Sequence, residues 1–401
     1  MGNGRGGRTA LAAAWLAAAT AAAFAQDQQL GARTKAMGGS YTAFEDDPVS
    51  IWLNPAGIAT QPNQMSISYQ TYTTYPLQRE LSAGGTAIEF SAEARTTFVD
   101  PALLPSYLGF VFQLGTEDLP MAVGICYARP YHLNYSFDRV EDPAQQVFVP
   151  DTNVEESFSR FRAAFAIDFR RVRAGEAGFL THVALGAGAD LGYERWEFDH
   201  EDESIRDTAT APGGGGGILV GLYDNGASFK LNFGAAYQSA IRWEFNSDPR
   251  IFPAFDMPQQ VNVGLTGYFF EGSLLRATVD LQWVDWSATA EKPTFIGQPS
   301  FEDAVNYSVG LEYRFRVAER VNLYPRAGFR RFQAPWDDED NLPMTSNYKL
   351  LVDTDGSRFN IFTAGLGLSW TDARGKNWAL DAAMDVGGDS FNLAFGFTYE
   401  L

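Results

Sequence analysis

Apolar and polar residues alternate one for one along much of this chain, the signature of strands whose two faces meet different surroundings. From Phe229 to Tyr237 one face carries Phe229, Leu231, Phe233, Ala235 and Tyr237, and the other Lys230, Asn232, Gly234 and Ala236. Further on, Val305, Tyr307, Val309, Leu311, Tyr313 and Phe315 oppose Asn306, Ser308, Gly310, Glu312 and Arg314. The C-terminus sets Phe391, Leu393, Phe395, Phe397, Tyr399 and Leu401 against Asn392, Ala394, Gly396, Thr398 and Glu400. Soluble sandwiches alternate too. These segments, however, run about 10–16 residues, longer than the usual 5–6 and suited to crossing a bilayer at a tilt.

The pattern predicts fourteen strands, over 64–75, 106–115, 119–131, 157–171, 177–198, 215–223, 227–245, 258–270, 273–286, 304–316, 320–332, 358–370, 377–386 and 390–401. The sixth is the weakest, because glycines 213–217 also suit a loop. Short links (116–118, 172–176, 224–226, 271–272, 317–319, 371–376) alternate with long ones (76–105, 132–156, 199–214, 246–257, 287–303, 333–357). An even-stranded outer-membrane barrel does this, with tight periplasmic turns and long outer loops. Gly387-Gly388-Asp389 departs from the rule, being short where a long loop is expected. The predicted fold is therefore all-β, a fourteen-stranded antiparallel transmembrane barrel.

The N-terminus reads differently. Arg5 and Arg8 precede an Ala- and Leu-rich run from Thr9 to Ala23, and Ala23-Phe24-Ala25 is a small-x-small cleavage site. This is the layout of a secretory signal peptide over 1–25. Residues 26–63 lack alternation, so they either plug the lumen of a barrel over 64–401 or hang from it as a periplasmic tail.

Composition narrows the function. Apolar residues at 45% and aromatics at 14% exclude disorder. A net charge of −19 excludes nucleic acid as a partner, because phosphate binding needs a basic face. One cysteine, Cys126, excludes a disulfide framework or zinc cluster, and its place beside Ala122 and Gly124 suits an inert buried thiol. The three histidines, His132, His182 and His200, form no legible acid–base set, so no enzyme, cofactor or metal is expected.

The run Gly31-Ala32-Arg33-Thr34-Lys35-Ala36-Met37-Gly38-Gly39-Ser40-Tyr41-Thr42-Ala43-Phe44-Glu45-Asp46-Asp47, followed by Asn54-Pro55-Ala56-Gly57-Ile58-Ala59, resembles the N-terminal hatch of the FadL-type outer-membrane hydrophobe transporters (the OMPP1/FadL/TodX superfamily). Gln282-Trp283-Val284-Asp285-Trp286-Ser287 and Arg326-Ala327-Gly328-Phe329-Arg330, with Ala334-Pro335-Trp336, look like later segments of that family. The resemblance implies a fourteen-stranded barrel, plugged by a hatch, that passes long-chain fatty acids or aromatic hydrocarbons through a lateral wall opening. Met37-Gly38-Gly39 and Asn54-Pro55-Ala56-Gly57 lean toward PorV-like relatives, which serve as secretion accessories. Leu401 departs from the terminal aromatic usual in barrel-assembly signals.

Several residues are candidates for this chemistry. Asn54, Pro55 and Ala56 form either a constriction on the ligand route or a turn locking the hatch. Asp46 and Asp47 suit a salt bridge to a lumen arginine (Arg160, Arg162, Arg276, Arg314, Arg326 or Arg330) better than a cation. Asp168, Asp190, Asp280, Glu312, Asp381 and Asp385 fall on the same inward face, which argues for paired charges. An inward arginine, Arg160 or Arg162, also suits a fatty carboxylate. Leu108, Phe110, Phe112 and Leu114 lie on a segment apolar on both faces, which fits a hydrophobe pocket or packing on the hatch. Trp283, Trp286, Trp370 and Trp378 fit an interfacial girdle. Asp337-Asp338-Glu339-Asp340 fits a solvated outer loop.

The expected function is passive uptake of a hydrophobic small molecule, with outer-membrane lipid and the barrel-assembly machinery as further partners. The alternatives are a secretion accessory or structural barrel that binds a secreted protein, and a soluble all-β periplasmic protein.

Overall fold

The computed structural model describes residues 29–74, 77–83, 86–92, 95–98, 104–137, 140–142, 147–149, 152–170, 177–200, 203–244, 256–289, 303–333, 358–387 and 390–401. The predicted signal peptide and the 337–340 acidic run lie outside them.

Fourteen antiparallel strands form the wall: β1 (Gln64–Thr74), β2 (Tyr107–Gln113), β3 (Met121–Phe137), β4 (Thr152–Arg170), β5 (Gly178–His200), β6 (Glu203–Asp224), β7 (Phe229–Gln238), β8 (Gln260–Phe269), β9 (Leu275–Val284), β10 (Ala304–Tyr313, resuming over Phe315–Ala318), β11 (Val321–Gln333), β12 (Arg358–Thr371), β13 (Asn377–Gly387) and β14 (Ser390–Glu400). Each pairs with the next. β1 pairs with β14 from Gln64↔Glu400 to Gln70↔Ala394, so the sheet closes and has no open edge there. No helix among the described residues is long and apolar enough to cross a membrane.

The alternation is realised in burial. In β10, Ala304, Asn306, Ser308, Gly310 and Glu312 face inward, while Val305, Tyr307, Val309 and Leu311 stand exposed outside. Phe161, Phe165, Leu185, Leu265, Leu281, Leu366, Met384 and Phe395 extend the outer apolar belt. In water such a belt would cost roughly 25 cal/mol per Å². It is the face of a barrel that crosses lipid. Rings gather at the rim of the short turns: Trp370 stacks on Trp378 at 5.9 Å, and Trp378 meets Tyr399 at 4.2 Å. In the turn beside them, the Trp378 indole donates to Asp372, which the Lys376 backbone N–H holds below the usual carboxylate range.

Several boundaries differ from the sequence expectation, and β3 runs on to Phe137. The 199–214 link is mostly strand: β5 and β6 stay in register out to His200↔Glu203. Polar residues line both faces of that hairpin because it stands beyond the lipid, so alternation ceases while pairing continues. β4 starts at Thr152 for the same reason. β7 stops at Gln238, and an irregular segment turns inward, held by the Ile241–Met257 bridge. At the short 387–389 link, β13 and β14 stay paired out to Gly387↔Ser390.

Candidate functional site

Residues 29–63 fill the lumen. α1 (Ala32–Ala36) lies against β12–β14, the chain crosses to β7–β10, and α2 (Ser50–Leu53) with the Pro55–Ile58 turn packs on β3–β6. Leu30, Met37, Tyr41, Phe44, Ile51, Trp52 and Ile58 are buried. Close approach to the wall depends on glycines. Gly186 and Gly217 are partners across β5–β6. A Cβ at Gly186 would overlap the backbone of Pro55 and Ala56, and one at Gly217 the Asn54 side chain. On the opposite side, Gly310 and Gly328 are partners across β10–β11, and they seat Met37 and Gly38 in the same way.

Hydrogen bonds fix the hatch in these seats. Asn54 Nδ2 donates to Thr42 O at 2.7 Å and to Ile218 O of the wall at 3.1 Å, and Oδ1 accepts from Ala56 N at 3.2 Å. Asn54 is thereby bonded both to the 29–63 segment and to the wall. Asp280 Oδ2 accepts three bonds from the hatch, from the Tyr41 and Thr42 amides (2.8 Å each) and the Thr42 hydroxyl (2.6 Å). Tyr107 donates to Pro48 O at 2.5 Å. Asn54→Ala is expected to cost about 1 kcal/mol per lost bond, and more where a buried carbonyl is stranded. Faster limited proteolysis within residues 29–63 of the intact barrel checks this.

Charges pair as a cluster. Arg33 grips Glu312 with two bonds of 2.9 Å and reaches Asp46 at 3.2 Å. Arg276 pairs with Asp46 and Glu312, and Arg326 with Glu312 (2.6 Å) and Asp381 (2.5 Å). Three cations thus meet three carboxylates. Lys35 reaches Asp385 at 2.9 Å, with Arg330 on the same carboxylate at 3.3 Å. Asp46 makes the expected bridge to a lumen arginine. Asp47 does not: it accepts from Val49 N and the Tyr41 hydroxyl and shapes the turn before α2. Arg314 lies against Gly272 in a short turn, away from the cluster. Beneath the hatch, a cavity of about 670 Å³ opens among Glu45, Asp168, His182, Lys230, Arg276 and Arg326.

Arg160 and Arg162 face inward, but both are committed. Arg162 binds Asp190 at 2.6 and 2.8 Å and the Trp52 carbonyl at 2.8 Å, and Arg160 reaches Asp190 at 3.3 Å. Both guanidiniums lie 5.3 Å from the Trp52 ring. They hold α2 to the wall. Leu108, Phe110 and Phe112 need correction: their side chains point out of the barrel, while Tyr107, Gly109 and Val111 face the hatch. The inward positions are apolar because they pack on the plug, so alternation could not tell the faces apart. Trp286 also departs from the girdle, being buried inside.

The apolar residues on the long-loop side of the hatch are others. Tyr131 meets Phe158 edge-on at 5.6 Å, Phe158 meets Trp243 at 6.1 Å, and Ile241 and Met257 are fully buried beside them. Trp243 and Ile241 fit over Gly192, where a Cβ would collide with them. The 241–243 sequence, Ile-Arg-Trp after a strand, carried no sign of turning inward. Next to Tyr131 the wall is irregular: the β3–β4 register slips between Ala128 and Tyr131, at Arg129-Pro130. Proline lacks the N–H a ladder needs, so it sits at bulges and edges.

Together these features define a closed fourteen-stranded barrel with residues 29–63 packed inside it, an aromatic cluster on the long-loop side of that segment and a charged cavity on the other. In fold it is similar to a Pseudomonas aeruginosa FadL homologue (TM-score 0.59, 12% identity, 92% of this chain and 96% of that one). It is likewise similar to the Ralstonia pickettii toluene transporter TbuX (0.56, 14%, 93% and 99%) and the Pseudomonas putida toluene transporter TodX (0.54, 12%, 93% and 98%). No family model matches the sequence, and no curated protein matches it.

Proposed function

We propose that this barrel, exported by cleavage of residues 1–25 and inserted by the barrel-assembly machinery, admits hydrophobic compounds passively across the outer membrane. The carrying observation is the inward cluster of Tyr131, Phe158, Ile241, Trp243 and Met257 above the hatch. A water-filled porin has no use for such a lining. The fold shared with toluene transporters supports the reading. Ligand enters among the outer loops, displaces the aromatic cluster, and passes a shifted hatch toward the irregular wall at Arg129-Pro130. Apolar burial supplies the binding energy, and the charged lower cavity discourages descent into the periplasm.

The test is uptake of labelled long-chain fatty acid and of toluene by an outer-membrane strain lacking its own transporter. The intact protein is expected to support uptake, and Trp243→Ala to raise the initial rate severalfold by opening the cluster. Asn54→Ala with Pro55→Ala is expected to change it through the hatch. Failure to take up either compound, with a heat-modifiable barrel present in the membrane, would overturn the proposal.

A second reading draws on the β3–β6 hairpins, which stay paired well past the lipid-facing belt. A secretion accessory would hold a protein partner on that extension, and co-purification of a secreted protein would favour it.

A further inference from the structure

On the short-turn side of the 29–63 segment, one imidazole stands between two carboxylates. His182 of β5 is buried, and its ring lies against the bare backbone of β6, where a Cβ at Gly221 would collide with it. Its Nδ1 stands 3.4 Å from Asp168 Oδ1 of β4, and its Nε2 stands 3.7 Å from Glu45 Oε2 of the inner segment. Neither approach is a hydrogen bond: both ring nitrogens and Asp168 Oδ1 are buried without a hydrogen-bond partner among the described residues. The charges nearby are engaged elsewhere. Arg170, the register neighbour of His182 on β4, turns its Nε to the other Asp168 oxygen at 3.3 Å. Lys230 of β7 holds the other Glu45 oxygen. Asp224 of β6 and Arg276 of β9 line the same cavity.

A neutral imidazole carries one N–H and one lone pair, so it serves one carboxylate and turns a lone pair to the other. An imidazolium donates on both sides. Only the charged form ties the inner segment to the wall, and its charge-assisted bonds are roughly twice as strong as neutral ones. Imidazole is also the side chain whose charge changes between about pH 5 and pH 8. Protons reach the ring through the cavity of about 670 Å³ that His182, Glu45 and Asp168 all line. Unseating the segment carries Glu45 away, so the seated state binds the proton more tightly than the unseated one. By linkage, seating strengthens as pH falls through the imidazole range and weakens as pH rises through it.

We propose that His182 is a proton-operated latch between the 29–63 segment and the wall, closed in acid by a Glu45–His182–Asp168 bridge and released in alkali. The latch needs the segment seated in the lumen and holds whatever the barrel transports.

The test records single channels of the full-length barrel in planar bilayers. Brief openings, which report release of the segment, are expected to be at least fivefold rarer at pH 5 than at pH 8, and to follow the pH of the short-turn side. His182→Gln keeps a polar side chain there but takes up no proton, and is expected to bring the two frequencies within twofold. Glu45→Gln removes the carboxylate at the segment end of the bridge and is expected to do the same. It decides the matter if His182→Gln does not assemble as a heat-modifiable barrel. Openings equally frequent at the two pH values, no openings at either, or a pH dependence that survives His182→Gln would overturn the latch. Each of these results leaves the hydrophobe-channel reading standing, since uptake tests that reading separately.

Discussion

Gly186→Val is expected to unseat the hatch while leaving the wall intact. Valine suits a strand, and its backbone conformation at this position is ordinary. The obstacle lies in front of it: any Cβ at Gly186 occupies the space of the Pro55–Ala56 peptide. A flexible side chain could yield, but backbone pinned by the Asn54 bonds to Thr42 and Ile218 cannot. Overpacking of ordinary cores costs about 1–3 kcal/mol, and a clash with fixed backbone lies at or above the top of that range. The variant should assemble as a heat-modifiable barrel, admit small hydrophilic antibiotics at least tenfold faster, and expose residues 29–63 to protease. Gly217→Val should behave alike, because it meets the Asn54 side chain. Wild-type permeability in both variants would show that the lock carries no sealing function.

The second large effect is expected from Glu312→Leu. Glu312 touches Arg33, Arg276 and Arg326 and is almost wholly buried. Without it, three guanidiniums share Asp46 and Asp381. Removing one member of a buried ionic cluster costs about 3–5 kcal/mol, because the remaining charge stays desolvated. The loss falls on hatch seating, since Arg33 belongs to the hatch and the other two arginines to the wall. Arg33→Met should be milder: Glu312 keeps two cations, and Asp46 keeps Arg276 and partial access to water. Urea titration of hatch proteolysis would rank the two. Equal midpoints would mean that the cluster acts as a loose ionic layer and not as a clamp centred on Glu312.

Much of the wall was legible because the lipid imposes one apolar face on each strand. β7, β10 and β14 could be read residue by residue, and the inward placement of Asp190, Asp280, Glu312 and Asp385 followed from parity alone. The signal failed where the surroundings are not lipid against lumen. Beyond the membrane, 203–214 keeps its pairing without an apolar face. In β2 the plug makes the inner face apolar as well, so Phe110 and Phe112 read as pocket residues although they point outward. The 29–63 segment showed as a motif and not as a pattern, since Asn54 and Arg33 matter through wall partners 164 and 279 residues away. Trp243 was invisible because a tertiary contact with Gly192, and no local preference, turns it inward.

The hatch as a movable plug on the ligand route is tested most directly by tethering it. A Cβ at Gly396 would lie 3.3 Å from the Ala32 Cβ, close to the 3.5–4.5 Å that a disulfide spans. Cys126 is buried and leaves the new pair undisturbed. Uptake of labelled fatty acid and toluene by Ala32→Cys with Gly396→Cys should fall at least tenfold when the pair is oxidised and return on reduction. Equal uptake in the oxidised and reduced forms would contradict the account.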